Sequence, residues 1–379
     1  MKVDFANRNE VNMAGSVFGT HFQVSTWGES HGRGIGVVVD GCPAGLPLDE
    51  GVVQGYLDRR KPGQTRYSTP RKEADAVEIL SGIFEGKTTG TPISMVVYNT
   101  SQRSKDYSEI AGYFRPGHAD YTFDQKYGFR DYRGGGRSSG RETISRVAAG
   151  AVACEVLKSL GVTVIAYTKE IGGIGIDVAK ADVSNIFKSP LYMPDLEASG
   201  QAELLLEQKM KEQDSVGGII ECIVKGLPAG VGEPVFEKLD ANLAKAVMSI
   251  GAIKGFEIGD GFAAAKSFGN ENNDSFFVGQ NGSVAKRTNH AGGVLGGISD
   301  GSDIVLRAAV KPTPSIARTQ KTVSRSGEEI EINIRGRHDP VIVPRAVVVV
   351  ESMTALTVLD MLFSSMTSSL DAVKHFFGR

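Results

Sequence analysis

Three short segments, far apart in the chain, carry side chains that can move protons beside an anion. Trp27-Gly-Glu-Ser-His-Gly32 sets the imidazole of His31 between two small residues, where it can face a ligand without steric cover. Arg115-Pro-Gly-His-Ala-Asp120 gives His118 the same glycine neighbour and adds an arginine. Gly336-Arg-His-Asp-Pro340 closes a β-rich run and puts Arg337, an anion holder, beside Asp339, a carboxylate able to act as a base. Two histidines suit two proton transfers. Taken singly, each is equally compatible with a packed structural residue or an ordinary strand-end turn.

Anion chemistry is written more heavily between these motifs. From Arg115 to Arg146 the chain holds six arginines, the triple glycine Gly134 to Gly136, and the pair Ser138 and Ser139 ahead of an apolar helical pattern. Glycines let a backbone approach a ligand, serines favour a helix start, and a helix N-terminus favours negative charge. Arg130, Arg133, Arg137 and Arg141 can add charge-assisted hydrogen bonds. The interleaved Tyr121, Phe123, Tyr127, Phe129 and Tyr132 argue for an ordered site over a flexible spacer. Arg59-Arg60-Lys61-Pro-Gly-Gln-Thr-Arg66 is a further cationic stretch, Lys311-Pro-Thr-Pro-Ser315 a stiff loop with one cation, and Asn289 to Gly297 another glycine-rich surface. Several cationic loops imply several anionic groups in one pocket, as a small acidic substrate and a phosphorylated cofactor would provide.

The elements that must position these loops are mixed. Strand-like runs cover Gly36 to Asp40, Thr163 to Tyr167, Gly218 to Val224, Ile304 to Val310, the alternating Ile330, Ile332 and Ile334, and Val347 to Val350. Helical stripes run through Ile144, Val147, Ala148, Ala151, Val156 and Leu160, through Leu239, Leu243, Val247 and Ile250, and through Met353, Leu356, Leu359 and Phe363. Lys188 to Asp214 is the most linker-like region, with an exposed helix over Ala198 to Gln213. Because the candidate loops lie on both sides of it, a single α+β domain with two similar layers fits best.

Composition narrows the class. The 379 residues are 41% hydrophobic, and 42 lysines and arginines stand against 44 acids, so the overall field opposes nucleic-acid binding. A stacking role for the Arg-, Gly- and Tyr-rich stretch on RNA or single-stranded DNA is the weakest reading. Cys42, Cys154 and Cys222 form no CxxC pair, which suggests buried thiols in a reducing cytoplasm. No membrane span, leader or metal-ligand spacing is expected. Gly32, Gly34 and Gly36 precede a strand, whereas a dinucleotide fingerprint needs them after one, and no phosphate loop of the NTPase type occurs.

At these motifs, joined by Tyr132-Arg-Gly-Gly-Gly-Arg-Ser-Ser139 and Asn289-His-Ala-Gly-Gly293, the sequence resembles the chorismate synthase family from about Met13 to near the C-terminus. The resemblance implies a carbon–oxygen lyase that eliminates phosphate from 5-enolpyruvylshikimate 3-phosphate, with reduced FMN (FMNH2) required and no net redox change. It implies a β-α-β sandwich, helices packed between two mainly antiparallel sheets, assembled as a homotetramer in the cytoplasm. It leaves residues 1–12 as an N-terminal extension and 13–379 as one domain.

Carried over position by position, the resemblance makes His118 the acid for phosphate departure and His31 the group that protonates or stabilises the reduced flavin. Asp339 would remove the ring proton together with flavin N5. Flavin contacts map onto Arg137, Ser138, Ser139, Gly251, Ala252, Gly296, Lys311, Pro312, Thr313, Pro314, Ser315 and Arg337. Arg60 and Arg66 match arginines assigned to substrate or NADP, with NADP(H) as an indirect electron source. Gly251 stands where asparagine is frequent, Pro314 where serine is usual, Val341 where cysteine is common, and Trp27 where phenylalanine is. The rival enzyme reading, an NADPH-dependent flavin oxidoreductase, would use the same glycines and arginines.

Overall fold

A computed structural model describes residues 15–68, 73–100, 109–279, 282–334 and 339–378. The extension at 1–12 and Arg337 lie outside them. The chain opens with strands β1 (Val17–Phe18), β2 (Gln23–Gly28) and β3 (Gly34–Asp40), crosses through helix α1 (Glu50–Arg60), and returns as β4 (Val77–Ile79) and β5 (Ile93–Tyr98). These strands form one sheet in the order β1-β2-β3-β5-β4, antiparallel throughout. Helices α2 (Asp120–Tyr127) and α3 (Thr143–Ser159) follow.

A second sheet is built from β6 (Thr163–Ile171), β7 (Ile174–Gly175), β8 (Gly218–Lys225), β9 (Ile253–Ile258) and β10 (Ile304–Val310). Its order is β9-β10-β8-β6-β7, again antiparallel. Helices α4 (Leu196–Lys211) and α5 (Leu239–Met248) lie within this half, then a hairpin of β11 (Thr319–Val323) and β12 (Glu329–Asn333) leads to α6 (Val343–Ser365).

The layers follow from which faces are apolar. Helix α3 packs on β3 of the first sheet and also against α6, while α6 packs on β6 and β8 of the second, so the helices fill the space between the sheets. On β8 the alternate residues Ile220, Cys222 and Val224 are fully buried toward the helices. Gly150 permits the crossing of α3 and α6, since a Cβ there would lie 2.2 Å from Ser352 Cβ. All three cysteines are free and buried, and burial pushes the Cys42 thiol up to about 11. This is the α+β sandwich expected, with its core running unbroken from Phe22 to Met361.

Three local expectations change. Val347 to Val350 reads as a strand but lies inside α6, which is apolar and buried around most of its circumference. Pro344 starts the helix without loss of a needed hydrogen bond, and packing outweighs the small β-branched penalty. By length and composition α6 could cross a membrane; here 78% of its most apolar window is buried inside the protein. The helix after the paired serines starts at Thr143, because Gly136–Ser138 and Gly140–Glu142 form two short 3-10 turns first. The linker-like stretch instead carries a docked helix: α4 is capped by Asp195 and buries Ala198, Ala202 and Leu206.

Candidate active site

His31 sits in the turn between β2 and β3 and is 6% exposed. Asn99, just past β5, holds that turn by donating its amide to the carbonyls of Glu29 at 3.0 Å and Gly32 at 2.8 Å. The imidazole lies against Gly134, a hundred residues away in sequence. A Cβ on Gly134 would lie 2.4 Å from His31 Cδ2, and Ser30 Oγ donates to the Gly134 carbonyl at 3.2 Å. Gly134, Gly135 and Gly136 have φ of 65°, 84° and 52°, a run of left-handed backbone that other residues would strain.

The arginines that the sequence offers as anion holders in this stretch all have protein partners. Arg137 reaches back to β2, donating to Thr26 Oγ1 at 2.6 Å and the Gly28 carbonyl at 3.2 Å. Arg130 is buried against Asp120 and the carbonyls of Ile110 and Tyr113, Arg133 pairs with Asp131, and Arg141 pairs with Glu73 and Asp75. Ser138 stays exposed with its hydroxyl donating to the Gly135 carbonyl at 2.7 Å, and Ser139 Oγ accepts from the Arg141 amide.

His118 is joined to the proline-rich loop. Its Nδ1 lies 2.9 Å from the Pro116 carbonyl and its Nε2 2.8 Å from Ser315 Oγ. Lys311 Nζ donates to the Gly117 carbonyl at 2.8 Å, and a Cβ on Gly117 would meet Pro314 at 2.7 Å, so the two loops interlock. Arg115 clasps Asp120 through Nε and Nη2 at 2.8 and 2.9 Å, and its Nη2 would lie 4.0 Å from a Cβ on Gly135. Contacts therefore run from His31 through the triple glycine and Arg115 to His118, Ser315 and Lys311. Burial, reinforced by Arg115 and Lys311, lowers the His118 pKa to about 4.

A backbone contact ties two further candidates to the Lys311 loop. Lys311 donates its amide to the Ala252 carbonyl at 2.9 Å, which ties Gly251 and Ala252 to the same loop. Gly296 is exposed, with φ of 62° and open space where a Cβ would stand. Thr313 accepts from Ser215 Oγ at its carbonyl, and its own buried Oγ1 has no partner among the described residues. Pro312 is exposed beside it.

Asp339, 9% exposed, takes a 2.5 Å hydrogen bond from Arg345 in the first turn of α6, and Arg345 Nε donates to the Arg60 carbonyl at 3.1 Å. Pro340 accepts from the Val216 amide, which places Asp339 beside Ser215 and thus near Thr313. Arg60 is 2% exposed, with Nη2 2.8 Å from Asp75 and Nη1 3.3 Å from the Gly140 carbonyl. Burial draws its pKa down to about 10 despite Asp75. Arg66 stands apart on the surface with Glu203 and Glu207. Sequence reasoning missed Asn99, Asp75 and Arg345; only Arg345, a lone cation opening an apolar helix, left any trace of its role.

The family model described as chorismate synthase matches residues 22–363. A chorismate synthase of Lachnospira eligens is 67% identical over 97% of this chain and 100% of its own length. One from Lachnoclostridium phytofermentans is also 67% identical over the same shares, and one from Methanosarcina mazei is 55% identical over 93% of this chain and 97% of its own. A solved crystal structure of chorismate synthase superposes with a TM-score of 0.74 at 30% identity, covering 95% of this chain and 97% of that one.

Proposed function

The chain belongs to the chorismate synthase family and acts as a lyase in aromatic biosynthesis, and we propose that it does so by 1,4-elimination of phosphate from 5-enolpyruvylshikimate 3-phosphate, with reduced FMN bound and no net redox change. The observation that carries the residue assignment is His118, half-buried between Pro116 and Ser315 with Arg115 and Lys311 beside it. That environment empties the imidazole at neutral pH. A phosphate dianion docking among the same cations would restore its proton, so the acid is charged only when the leaving group is present.

The other roles follow from placement. His31, packed against Gly134, would donate to or hold charge at the cofactor. Asp339, aimed by Arg345, would take the ring proton. The residues fit a flavin at the family's positions. Ser138 is exposed, Gly296 opens on free space, the Ala252 backbone has φ of 73°, and Thr313 Oγ1 has no partner among the described residues. With Arg137, Ser139, Gly251, Lys311, Pro312, Pro314, Ser315 and Arg337 they would hold it. When bound, reduced FMN supplies an electron-rich ring able to share charge with the breaking C–O bond. Arg60 and Arg66 would serve substrate or NADP(H), Arg60 through the loop that it buttresses. We assign residues 13–379 to one domain and the assembly to a cytoplasmic homotetramer.

The test is anaerobic. Purified protein given the enolpyruvyl substrate and chemically reduced FMN should release phosphate and chorismate in equal amounts. Absence of both products while FMN still binds would overturn the assignment.

A further inference from the structure

The carboxamide of Asn99 is used at both ends. Its Nδ2 donates to the Glu29 and Gly32 carbonyls at 3.0 and 2.8 Å, and its Oδ1 accepts from Arg141 Nε at 2.6 Å. Two acceptors on one side and a cation on the other exclude the flipped amide. The Asn99 backbone amide also donates to the Arg33 carbonyl at 3.0 Å, so one residue holds the turn before and after His31. Arg141 is held in its turn, with Nη1 paired to Glu73 and 3.0 Å from Asp75 Oδ1. The Asp75 side chain is fully buried, and its other oxygen takes Arg60 Nη2 at 2.8 Å. Asp75 stands there in left-handed backbone, φ 46°, a conformation that persists for such a residue only where its surroundings fix it. Polar contacts therefore run unbroken from Arg60 at the end of α1, through Asp75, Arg141 and Asn99, to the backbone around His31.

Resting on the reading that His31 and Arg60 both serve the reaction, we propose that Asn99 and Arg141 are a positioning pair that sets the His31 imidazole relative to the loop that Arg60 buttresses. The turn does not need them in order to close. β2 and β3 pair as far as Gly28 and Ile35, and the Gly32 amide donates to the Glu29 carbonyl at 3.1 Å. What the pair adds is the place where the closed turn stands against Gly134 and α1. Each side chain is chemically specific for that task. An aspartate at 99 would keep Arg141 but set a carboxylate oxygen against two carbonyl oxygens. A lysine at 141 would keep a charge for Glu73 and Asp75 but lose the fork that reaches Asn99 through Nε and the carboxylates through Nη1.

The experiment has a cofactor-free arm and a kinetic arm. In crystals of the full-length protein without flavin, Asn99→Asp should displace the turn at 29–32 and lift the His31 ring from Gly134 by about 1 Å, with both sheets unmoved. A turn left in place overturns the proposal. In anaerobic turnover at saturating FMN, Asn99→Asp and Arg141→Lys should each lower kcat about 10- to 100-fold, the scale of a reacting group misplaced by about 1 Å, with flavin affinity within about threefold of wild type. The double variant should be little slower than either single one, because both remove the same contact; losses that multiply overturn the pairing. Urea unfolding separates position from packing. Variants that lose stability yet keep the wild-type kcat make the pair structural only, and a defect cured by excess flavin makes it a support of the cofactor; either result overturns the proposal. If His31→Ala turns over as fast as wild type, or wild type binds flavin and yields no chorismate, the underlying reading fails and the proposal with it. A slow His31→Ala beside a normal Asn99→Asp removes the positioning pair alone.

Discussion

His118 concentrates the chemistry in one side chain, and its environment yields two expectations. Replacing it with alanine should lower turnover about 10²-fold or more, as loss of a general acid does, with flavin affinity retained. Steady-state kinetics beside a flavin titration checks this, and unchanged turnover would remove the role. The second concerns pH. A folded-state pKa near 4 against 6.5 for the free side chain means that the unfolded chain binds more protons between those values. Stability should therefore rise with pH from about 4 to 6.5, with His118 accounting for up to about 3 kcal/mol of the change. Asp120 contributes in the same direction at lower pH: burial raises its pKa, but Arg115 and Arg130 outweigh that and hold the carboxyl below its ordinary range. Urea unfolding of wild type and His118→Asn across this window measures it. Equal slopes in the two proteins would contradict the assignment.

At the scale of elements, the site is a set of loops held by backbone shape more than by sheet or helix. The left-handed run at Gly134 to Gly136 lets the turn carrying His31 lie against the segment after α2, and no longer side chain fits there. Gly134→Ala would combine a φ of 65° with a Cβ 2.4 Å from the His31 ring. We expect a loss of about 1–3 kcal/mol from strain and overpacking, with a displaced imidazole and reduced turnover. Gly140→Ala is the control, since nothing stands within 4 Å of its Cβ position and its φ is not left-handed. Thermal unfolding and turnover of the pair separate the two; equal behaviour would show that the glycine run does not position His31. The triple glycine and both histidine motifs were legible in the sequence because their residue types are unusual at close spacing. The partners Asn99 and Asp75 were not, since an isolated polar residue outside any repeat carries no period or motif.

Across the whole molecule, one buried ion pair ties the layers together. Arg59 of α1 forms two hydrogen bonds to Glu351 in the middle of α6, at 2.6 and 2.9 Å, and Glu351 also accepts from the Ala166 amide of β6. Removing one partner leaves an uncompensated charge, so Arg59→Ala should cost about 3–5 kcal/mol, while Arg59→Met with Glu351→Leu should recover most of it. Chemical denaturation of the single and double variants decides, and additive losses would show that the pair is not coupled. What the sequence determined alone is the chemistry available: two histidines and an aspartate in small-residue settings, an excess of cationic loops, and alternating β and helical stripes whose periods record which face is apolar. Tertiary structure decided which charges are already used. Arg60, Arg130, Arg137 and Arg141 look interchangeable as anion holders along the chain, yet each meets a carboxylate or carbonyl brought to it by the two sheets and the crossing helices. It also turned Val347 to Val350 into helix, because burial on nearly every side rewards packing over local preference. Residue types and periods are local and can be read; pairings such as Gly134 with His31, or His118 with Ser315, depend on topology that brings distant segments together, and no local pattern encodes them.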